Sequence, residues 1–250
     1  MSKRITGEKV DVDYSNIHDF FEERGAKKNF GSKYNYVLFQ DDNPELAEAR
    51  DKQEKEKIAE LLGLENGQTG KSVLDIGCGI GRWGEYLLEH GLHYVGIDGS
   101  RNLIEIAKDN LKAYDNKTLL VGFFQQFPDV LREAGQTEKF DYIFINGVFM
   151  YLNDADFQKA LMDIVDHCAE NCIIYVKESM GLENRLTLDD IYSEGLKQDY
   201  TAIYRSIAEY RNSFQTAWAD SFELVSEGLL FEEKLINRKE TADYYFIWKR

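Results

Sequence analysis

A glycine-rich turn that joins two short apolar runs is the feature of this sequence that most constrains its fold. Residues 73–76 form the first run, residues 77–81 the turn, and residues 94–97 a second run that ends at Asp98. Glycine lets a ligand approach the backbone where a Cβ atom would block it. A carboxylate at the end of the second strand can accept hydrogen bonds from both hydroxyls of a ribose. This order of segments predicts a parallel sheet that binds a ribose-containing ligand at the carboxyl ends of its strands.

The same turn also fits the pattern of dinucleotide-binding proteins, because it reads Gly79-Ile80-Gly81-Arg82-Trp83-Gly84. Its register argues against a dinucleotide. The first glycine after the strand is Gly77, and the sixth position counted from it is Arg82 instead of a glycine. Asp75 lies two residues before Gly77, where it would repel a pyrophosphate and favour a ligand with positive charge. A turn that binds nothing is the third interpretation.

From residue 71 onward, segments typical of strands alternate with segments typical of helices. The predicted strands are Ser72–Ile76, His93–Ile97, Leu119–Gly122, Tyr142–Asn146 and Cys172–Lys177, followed near the end of the chain by Phe222–Leu230 and Tyr244–Trp248. Helices are predicted at about Arg82–His90, Ser100–Tyr114, Asp129–Ala134, Asp154–Cys168 and Ile207–Ser221, after an earlier helix at Pro44–Leu62. Such alternation predicts a mostly parallel sheet with helices on both faces, finished by an antiparallel pair.

In this order of segments, and most specifically at residues 73–83 and 94–99, the chain resembles the class I methyltransferases, which use S-adenosylmethionine (SAM). The resemblance implies an α/β fold with a Rossmann-like, seven-stranded, mostly parallel sheet, helices on both faces, a terminal antiparallel hairpin and a small helical cap. It also implies an N-terminal helical and aromatic lid at residues 1–60. Residues 61–250 would form the methyltransferase domain, with an acceptor-binding insert at about 178–206.

The resemblance also implies a position for each part of SAM. Arg82, directly after the turn, would hold the methionine carboxylate. The strand end at Asn146 and Gly147 would lie beside the reacting methyl group and the amine. Residues 121–127 would lie along the adenine, where Phe123 or Phe124 either stacks on the base or fills the core. Phe123 stands at a position often held by aspartate in the family. The residues expected to bind the cofactor are Asp75, Gly77, Cys78, Gly79, Gly81, Arg82, Trp83, Asp98, Gly99, Ser100, Phe123, Phe124, Gln125, Asn146 and Gly147.

Acceptor binding and catalysis are expected at the strand ends and in the insert. The candidates for a base near the strand ends are Tyr151, Lys177 and Glu178. Tyr151 and Glu178 are the expected catalytic residues, with Glu178 as the general base; the alternative for Glu178 is a solvated carboxylate or a helix cap. None of the four histidines falls in a motif position. Clustered tyrosines and arginines in so acidic a chain predict a lid that engages an anionic or hydroxylated acceptor, the alternative being tyrosines packed on the sheet. The residues expected to bind the acceptor are Tyr34, Tyr36, Tyr151, Tyr200, Tyr204 and Arg205.

No metal is expected at this site. Metal-dependent catechol-type O-methyltransferases have an aspartate where this chain has Asn146, and an Asp-Asn pair where it has Glu178-Ser179. An oxygen-rich Mg²⁺ site is therefore not supported. His167, Cys168 and Cys172 could share a helix face and bind a metal, but no fourth ligand has suitable spacing. Buried thiols are the expected interpretation of these cysteines.

The net charge of −15, with a sequence pI near 4.8, limits the partners of the protein. So negative a surface repels a phosphate backbone, and nucleic acid is not an expected partner. No apolar run approaches the ~20 residues that cross a bilayer, and the N-terminus lacks the apolar core of a signal peptide. No membrane partner and a cytoplasmic location are therefore expected. The odd count of three cysteines predicts no disulfide framework.

Together these features predict a metal-independent enzyme that transfers a methyl group from SAM to a small-molecule acceptor, at oxygen in preference to nitrogen. The layout is similar to bacterial small-molecule methyltransferases of specialised-metabolite and surface-polysaccharide pathways. One alternative is an N-methyltransferase of an amine or of a protein N-terminus. Residues 79–82 and 173–180 look like motifs of the protein N-terminal enzymes, and an acidic surface attracts a basic peptide. A catalytically silent SAM-fold partner subunit is the other alternative.

Overall fold

The fold is that of a computed structural model, which describes residues 3–28, 30–66 and 68–250. Residues 1, 2 and 29 of the predicted lid and residue 67 of the predicted methyltransferase domain lie outside the described residues. The strands within the described ranges are β1 (Lys3–Thr6), β2 (Ser72–Ile76), β3 (His93–Asp98), β4 (Lys117–Val121), β5 (Phe140–Asn146), β6 (Cys168–Gly181), β7 (Leu186–Ser193), β8 (Gln198–Tyr204), β9 (Glu223–Leu229) and β10 (Thr241–Lys249).

The α-helices of the same ranges surround these strands. They are α1 (Tyr14–Ala26), α2 (Asn35–Leu38), α3 (Pro44–Leu62), α4 (Arg82–Glu89), α5 (Arg101–Asn110), α6 (Phe127–Glu133), α7 (Asp154–Val165) and α8 (Ile207–Trp218). None of these helices is long and apolar enough to span a membrane.

A seven-stranded sheet forms the centre of the molecule, in the order β4-β3-β2-β5-β6-β10-β9. β2 pairs in parallel with β3 on one side and with β5 on the other, and β4 and β6 extend the parallel part. β10 runs antiparallel between β6 and β9. The order of the strands reverses at β2, and sheets of this kind bind ligands beyond the carboxyl ends at such a switch point. The predicted mostly parallel sheet with a terminal antiparallel hairpin is confirmed.

The sheet separates two apolar layers. Side chains alternate along a strand, so neighbouring residues of β5 belong to opposite layers: Ile143 and Ile145 to one, Tyr142 and Phe144 to the other. Helices α7 and α8 complete the first layer, and α3 and α4 complete the second. Burial on both faces explains why the central strands appear in the sequence as continuous apolar runs.

Short-range signals define the starts of two helices that border the site. The Asn43 side chain accepts a hydrogen bond from the backbone N–H of Leu46, and Pro44 occupies the first position of α3. Ser100 caps α5 by accepting a hydrogen bond from the N–H of Leu103 at 3.2 Å. Both caps satisfy amide groups that the first turn of a helix leaves free. Each helix start was predicted within one residue.

The insert after β6 forms strands, which corrects the predicted helical cap. β7 and β8 pair as an antiparallel hairpin, and β1 joins them with Ile5 opposite Thr187. We call β1, β7 and β8 the cap sheet. Aromatic and β-branched residues at 200–204 favour a strand. The cap sheet packs against α1 through a buried cluster that contains Phe20 and Tyr200.

Candidate active site

A cavity of about 660 Å³ lies at the carboxyl ends of β2, β3 and β5. Asp75 and the glycine turn line it from β2, Asp98 lines it from the end of β3, and Asn146 lines it from the end of β5. One face of α1 forms a further wall, with the helical spacing of three and four residues, through Tyr14, Ile17, His18 and Phe21. The cavity therefore lies between the switch point of the sheet and the N-terminal segment.

The turn requires glycine at two of the positions that line the cavity. Gly77 and Gly79 have φ angles of +78° and +54°, in the left-handed region that favours glycine. A Cβ atom on Gly77 would lie 2.2 Å from Cγ2 of Val148, and one on Gly79 would lie 2.7 Å from Cγ1 of Val37. The turn is thus closed on one side by neighbouring side chains, and only glycine fits between them and the cavity.

Gly81 has a different role from the one expected from the sequence. It does not line the cavity, although its φ angle of +73° also favours glycine. A Cβ atom there would lie 2.8 Å from Cδ1 of Leu111. Gly81 immediately precedes α4 and lets the turn pack closely against the end of α5.

Asp98 connects the turn to the next helix. Its Oδ2 accepts a hydrogen bond from the N–H of Gly79 at 2.8 Å, and its Oδ1 accepts one from the N–H of Ser100 at 2.8 Å. Burial raises the pKa of this carboxyl to about 6, although both hydrogen bonds lower it. Each carboxylate oxygen keeps a lone pair for a further donor. Because Ser100 caps α5, helix capping does not explain Asp98.

Two further polar groups of the strand ends are buried at the cavity. The hydroxyl of Tyr94 donates to Oδ2 of Asp75 at 2.7 Å, and burial raises the pKa of Asp75 to about 7. Asn146 has both its amide nitrogen and its amide oxygen buried, with no hydrogen-bond partner among the described residues. A buried amide normally has partners. The Asn146 side chain therefore fits a polar ligand in the cavity.

Arg82 lines the cavity while paired with two carboxylates of α3. Its guanidinium lies 2.9 Å from Asp51 and 2.9 Å from Glu54. Glu54 also accepts hydrogen bonds from Trp83 Nε1 at 3.1 Å and from the hydroxyl of Tyr175 at 3.0 Å. This buried network connects the N-terminal segment to the residues after the turn. Contact between Arg82 and a methionine carboxylate stays a prediction.

The segment expected along the adenine presents one exposed ring. Phe123 is 45% exposed, and a Cβ atom added to Gly99 would lie 3.1 Å from its ring. The imidazole of His18 packs edge-on against it, with ring centroids 5.4 Å apart. Phe124 is buried and packs against Phe127, so it belongs mostly to the core. Phe123, Phe124 and Gln125 all line the cavity.

Glu178 is not placed to act as the predicted general base. Its side chain is fully buried, and Oε1 accepts hydrogen bonds from the N–H groups of Val148 and Phe149, both at 2.9 Å. Oε2 accepts one from the N–H of Met150 at 3.1 Å. Burial raises the pKa of Glu178 to about 7, although these hydrogen bonds lower it. Glu178 does not line the cavity and instead holds the backbone after β5 in position.

The residues expected to bind the acceptor are only partly brought together. Tyr151 and Tyr200 line the cavity, and their hydroxyl oxygens lie 2.8 Å apart. Tyr204 is buried behind them and does not line it. Tyr34 and Tyr36 also lie outside the cavity lining. The hydroxyl of Tyr36 donates to the backbone oxygen of Lys27 at 2.9 Å, and the ring of Tyr34 packs against two lysine ammonium groups.

Arg205 has a structural role instead of the predicted acceptor contact. It is 2% exposed and does not line the cavity. Its guanidinium donates to the backbone oxygens of Phe149 and Leu152 at 2.7 and 2.6 Å, and Nε donates to Asp154 at 2.9 Å. Arg205 therefore connects the end of β8 to the loop after β5 and to the start of α7.

Several lining residues were missed by the sequence analysis. His18 is one; its spacing from Tyr14 and Phe21 on α1 is the signal that could have revealed it. Four more are polar or charged and come from distant segments, with no motif to join them: Arg50, Ser179, Arg238 and Asp243. Among the described residues, no group of three or more His, Cys, Asp or Glu side chains could hold a metal ion.

Residues 74–174 match a family model described as a methyltransferase domain. The chain carries a class I, SAM-dependent methyltransferase domain. The cofactor of this methyltransferase domain is SAM. The unpartnered amide of Asn146 and the turn that excludes a Cβ atom both fit such a ligand.

Relatives of the methyltransferase domain act on different atoms, according to their names. Phosphoethanolamine N-methyltransferase 1 of Triticum aestivum is 26% identical over 207 residues, which cover 80% of this chain and 40% of that protein. Ubiquinone biosynthesis O-methyltransferase of Pasteurella multocida is 35% identical over 92 residues, which cover 35% of this chain and 38% of that protein. The chain thus spans less than half the length of these two curated relatives.

A solved structure supports the assignment of the fold. Phosphoethanolamine N-methyltransferase 1 of Haemonchus contortus, in complex with phosphoethanolamine and S-adenosylhomocysteine, matches with a TM-score of 0.70 and 17% identity. The match covers 94% of this chain and 48% of that chain. At this identity it shows that the two proteins share the methyltransferase fold.

Proposed function

We propose that this protein transfers the methyl group of SAM to a small-molecule amine that binds next to the cofactor. One observation supports this function most directly: the residues predicted for SAM, except Gly81, and a second set of polar side chains line the same cavity. We call the second set the acceptor compartment, and it consists of Tyr151, Lys177, Ser179, Tyr200, Arg238 and Asp243. When bound, SAM supplies an electrophilic methyl group that the lone pair of an acceptor displaces from sulfur.

The cofactor side of the cavity offers a suitable group for each polar part of SAM. Asp98 has lone pairs for the ribose hydroxyls, and Asn146 has a free donor and a free acceptor for the methionine amine and carboxylate. Asp75 provides a buried acidic group for a ligand with positive charge. The exposed ring of Phe123 offers a surface for the adenine. These four residues, with the glycine turn, form the proposed cofactor site.

The chemistry of the acceptor compartment favours nitrogen as the methylated atom, although the sequence favoured oxygen. Three backbone amides donate hydrogen bonds to the carboxylate of Glu178, the predicted general base, so it is not free to take a proton from a hydroxyl acceptor. The compartment contains no histidine. Burial would raise the pKa of Asp243, but Lys177 and two nearby guanidinium groups lower it to about 2, so Asp243 is a weak base. A protonated amine loses its proton to water far more readily than an aliphatic hydroxyl does, and the neutral amine then attacks through its lone pair without a strong base from the protein.

The relatives provide a reason to keep a second candidate. Similarity to the wheat phosphoethanolamine N-methyltransferase extends over 80% of this chain and supports an amine acceptor. Similarity to the Pasteurella O-methyltransferase is higher, at 35%, but covers only 35% of the chain. A phenol, which is far more acidic than an aliphatic alcohol, is therefore the second candidate acceptor.

The charges at the acceptor compartment argue against a protein N-terminus as the acceptor. Lys177, Arg238 and the neighbouring Arg50 line it and would repel the positive charges of a basic peptide. The acidic surface that would attract such a peptide lies outside this compartment. A small acceptor without net positive charge is a better match.

Methyl transfer from radiolabelled SAM to a panel of small amines, phenols and basic peptides tests this function. We expect methylated amines and saturable binding of S-adenosylhomocysteine (SAH) by calorimetry on the same preparation. Gly79→Val is the matched inactive control, because its side chain would meet Val37. Methylation of phenols alone would support the second candidate. SAH binding without methylation of any compound class would favour the silent subunit, and absence of SAH binding would refute the proposed function.

A further inference from the structure

Three positively charged side chains meet at the acceptor compartment of this acidic protein. Arg50 from α3, Lys177 from β6 and Arg238 from the loop before β10 line the cavity. Arg50 and Lys177 are buried, with 4% and 9% exposure. All three act on one carboxylate, Asp243, whose oxygen lies 3.4 Å from the Lys177 ammonium and accepts a hydrogen bond from the Ser179 hydroxyl at 2.7 Å.

Asp243 compensates only one of these three charges. Among the described residues, no carboxylate oxygen lies within 4.0 Å of the Arg50 or Arg238 guanidinium. Arg50 donates to the backbone oxygen of Leu235 at 2.6 Å and to the side chain of Asn237 at 2.9 Å, which leaves other N–H groups free. The guanidinium of Arg238 forms no hydrogen bond to any described residue. A buried charge without a counter-charge is costly, so an anion bound here would be stabilised.

Neutral donors lie beside these cations. The hydroxyls of Tyr151 and Tyr200 are 2.8 Å apart, so one donates to the other and the second keeps its proton for a ligand. Burial raises the pKa of both tyrosines, which keeps the hydroxyls protonated. Arg238 lies within electrostatic range of both residues. The compartment thus offers charged and neutral donors together, a combination suited to an anion with several oxygens.

We propose that Arg50, Lys177 and Arg238 form a subsite for the phosphate group of a phosphorylated acceptor. This subsite rests on the proposed function, because it lies in the acceptor compartment. A phosphate monoester carries a charge of about −1.5 to −2 at neutral pH, which matches the two positive charges that Asp243 leaves uncompensated. A carboxylate would compensate only one of them. Arg238, with its donors free, is the residue on which specificity for phosphate depends most.

Calorimetry on the SAH-loaded protein, with phosphoethanolamine, ethanolamine, β-alanine and inorganic phosphate as probes, tests this subsite. We expect phosphoethanolamine to bind about 100-fold more tightly than ethanolamine and to compete with inorganic phosphate. Arg238→Gln should weaken both phosphate-bearing probes about tenfold or more and leave the affinity for SAH and ethanolamine unchanged. Lys239→Gln is the matched control, since this exposed neighbour in the same loop does not line the cavity.

The outcomes separate this subsite from the cofactor site. Wild-type protein that binds SAH but no inorganic phosphate would overturn the subsite and leave the proposed function intact. Equal binding of phosphate by wild type and by Arg238→Gln would also overturn it, as would β-alanine that binds as tightly as phosphoethanolamine. A loss of SAH affinity in Arg238→Gln would assign these charges to the methionine carboxylate instead. Lys177→Gln provides a second variant, for which the same losses are expected.

Discussion

The carboxylate of Asp98 fixes the positions of two backbone amides beside the cavity. One amide belongs to the glycine turn and the other to the residue that caps α5, and the carboxylate accepts from both at 2.8 Å. A carboxylate that is already oriented in this way loses little entropy when a ribose binds. Its position was predictable from the sequence because it depends only on the end of a strand.

Asp98→Asn should weaken SAH binding and change its dependence on pH. An amide can accept from only one of the two N–H groups, and its own donor would face the other. We expect a loss of about 10- to 100-fold in affinity, the effect of one or two hydrogen bonds to a charged group. The ionised carboxyl groups bind the ligand better than the protonated ones. Wild-type affinity for SAH should therefore decrease as the pH is lowered, first at about pH 7, where Asp75 is protonated, and then at about pH 6, where Asp98 is protonated.

Calorimetric titrations with SAH between about pH 8 and pH 5 measure both effects. In Asp98→Asn, only the step near pH 7 should remain. Asp129→Asn, a change at an exposed carboxyl, is the control and should behave as wild type. An unchanged affinity and pH profile in Asp98→Asn would contradict the ribose assignment.

The role of Glu178 could not be predicted from the sequence. A carboxylate near the end of a strand is a reasonable candidate for a base, and its place in the sequence is next to Lys177, which does line the cavity. Neighbouring residues of a strand point to opposite faces, however, and Glu178 points away from the cavity toward the three amides of residues 148–150. The convergence of those amides depends on how two segments pack, which no local pattern encodes.

At the scale of elements, two buried arginines hold the hairpin of β7 and β8 to α7 and to the loop after β5. Arg185, just before β7, and Arg205, just after β8, both pair with Asp154 at the start of α7. Arg205 also donates to the loop that follows β5. These contacts place Tyr151 and Tyr200 in the cavity, so the cap sheet and the loop act as one support.

Arg205→Ala should destabilise the protein by about 3 kcal/mol, because it removes a buried guanidinium that pairs with Asp154 and donates to two backbone carbonyl oxygens. Urea unfolding followed by circular dichroism measures this free energy. Arg132→Ala removes an exposed arginine from a surface ion pair and should change stability by less than about 0.5 kcal/mol. A loss in Arg205→Ala as small as that of the control would show that Arg205 does not hold the hairpin.

The sequence identified the elements of the central sheet more reliably than those of the cap. The strands β2, β3 and β5 are buried apolar runs, and the helix that follows β3 has a clear start signal in the Ser100 cap. In the cap, the mostly half-buried residues at 186–193 give a weak pattern. Their identity as a strand depends on β1, which pairs with β7 from the other end of the chain.

At the scale of the whole molecule, the cavity is shared by distant parts of the chain. Helix α1 forms one wall, the central strands form the floor, and the loop before β10 supplies Arg238. The buried network of Arg82 with Asp51 and Glu54 connects α3 to the residues after the turn. A ligand in the cavity should therefore affect segments far from the glycine turn.

Saturation with SAH should protect α1 as well as the turn from hydrogen exchange. At about 100 times its Kd, a ligand that binds only the folded state stabilises it by about 2.7 kcal/mol. Exchange followed by mass spectrometry should show slower exchange at residues 14–26 and at 77–81. Peptides from α8, which has no residue in the cavity lining, serve as the reference. Protection confined to 77–81 would mean that α1 does not close over the cofactor.

The pairing of Lys3 with Asp189 has a consequence for the order in which the protein matures. A ribosome releases β1 long before its partner strand has been made, whereas β2 to β5 can meet as soon as residue 146 has emerged. Pairings between distant residues form slowly. We therefore expect a newly synthesised chain to be able to bind its methyl donor before its acceptor site has formed.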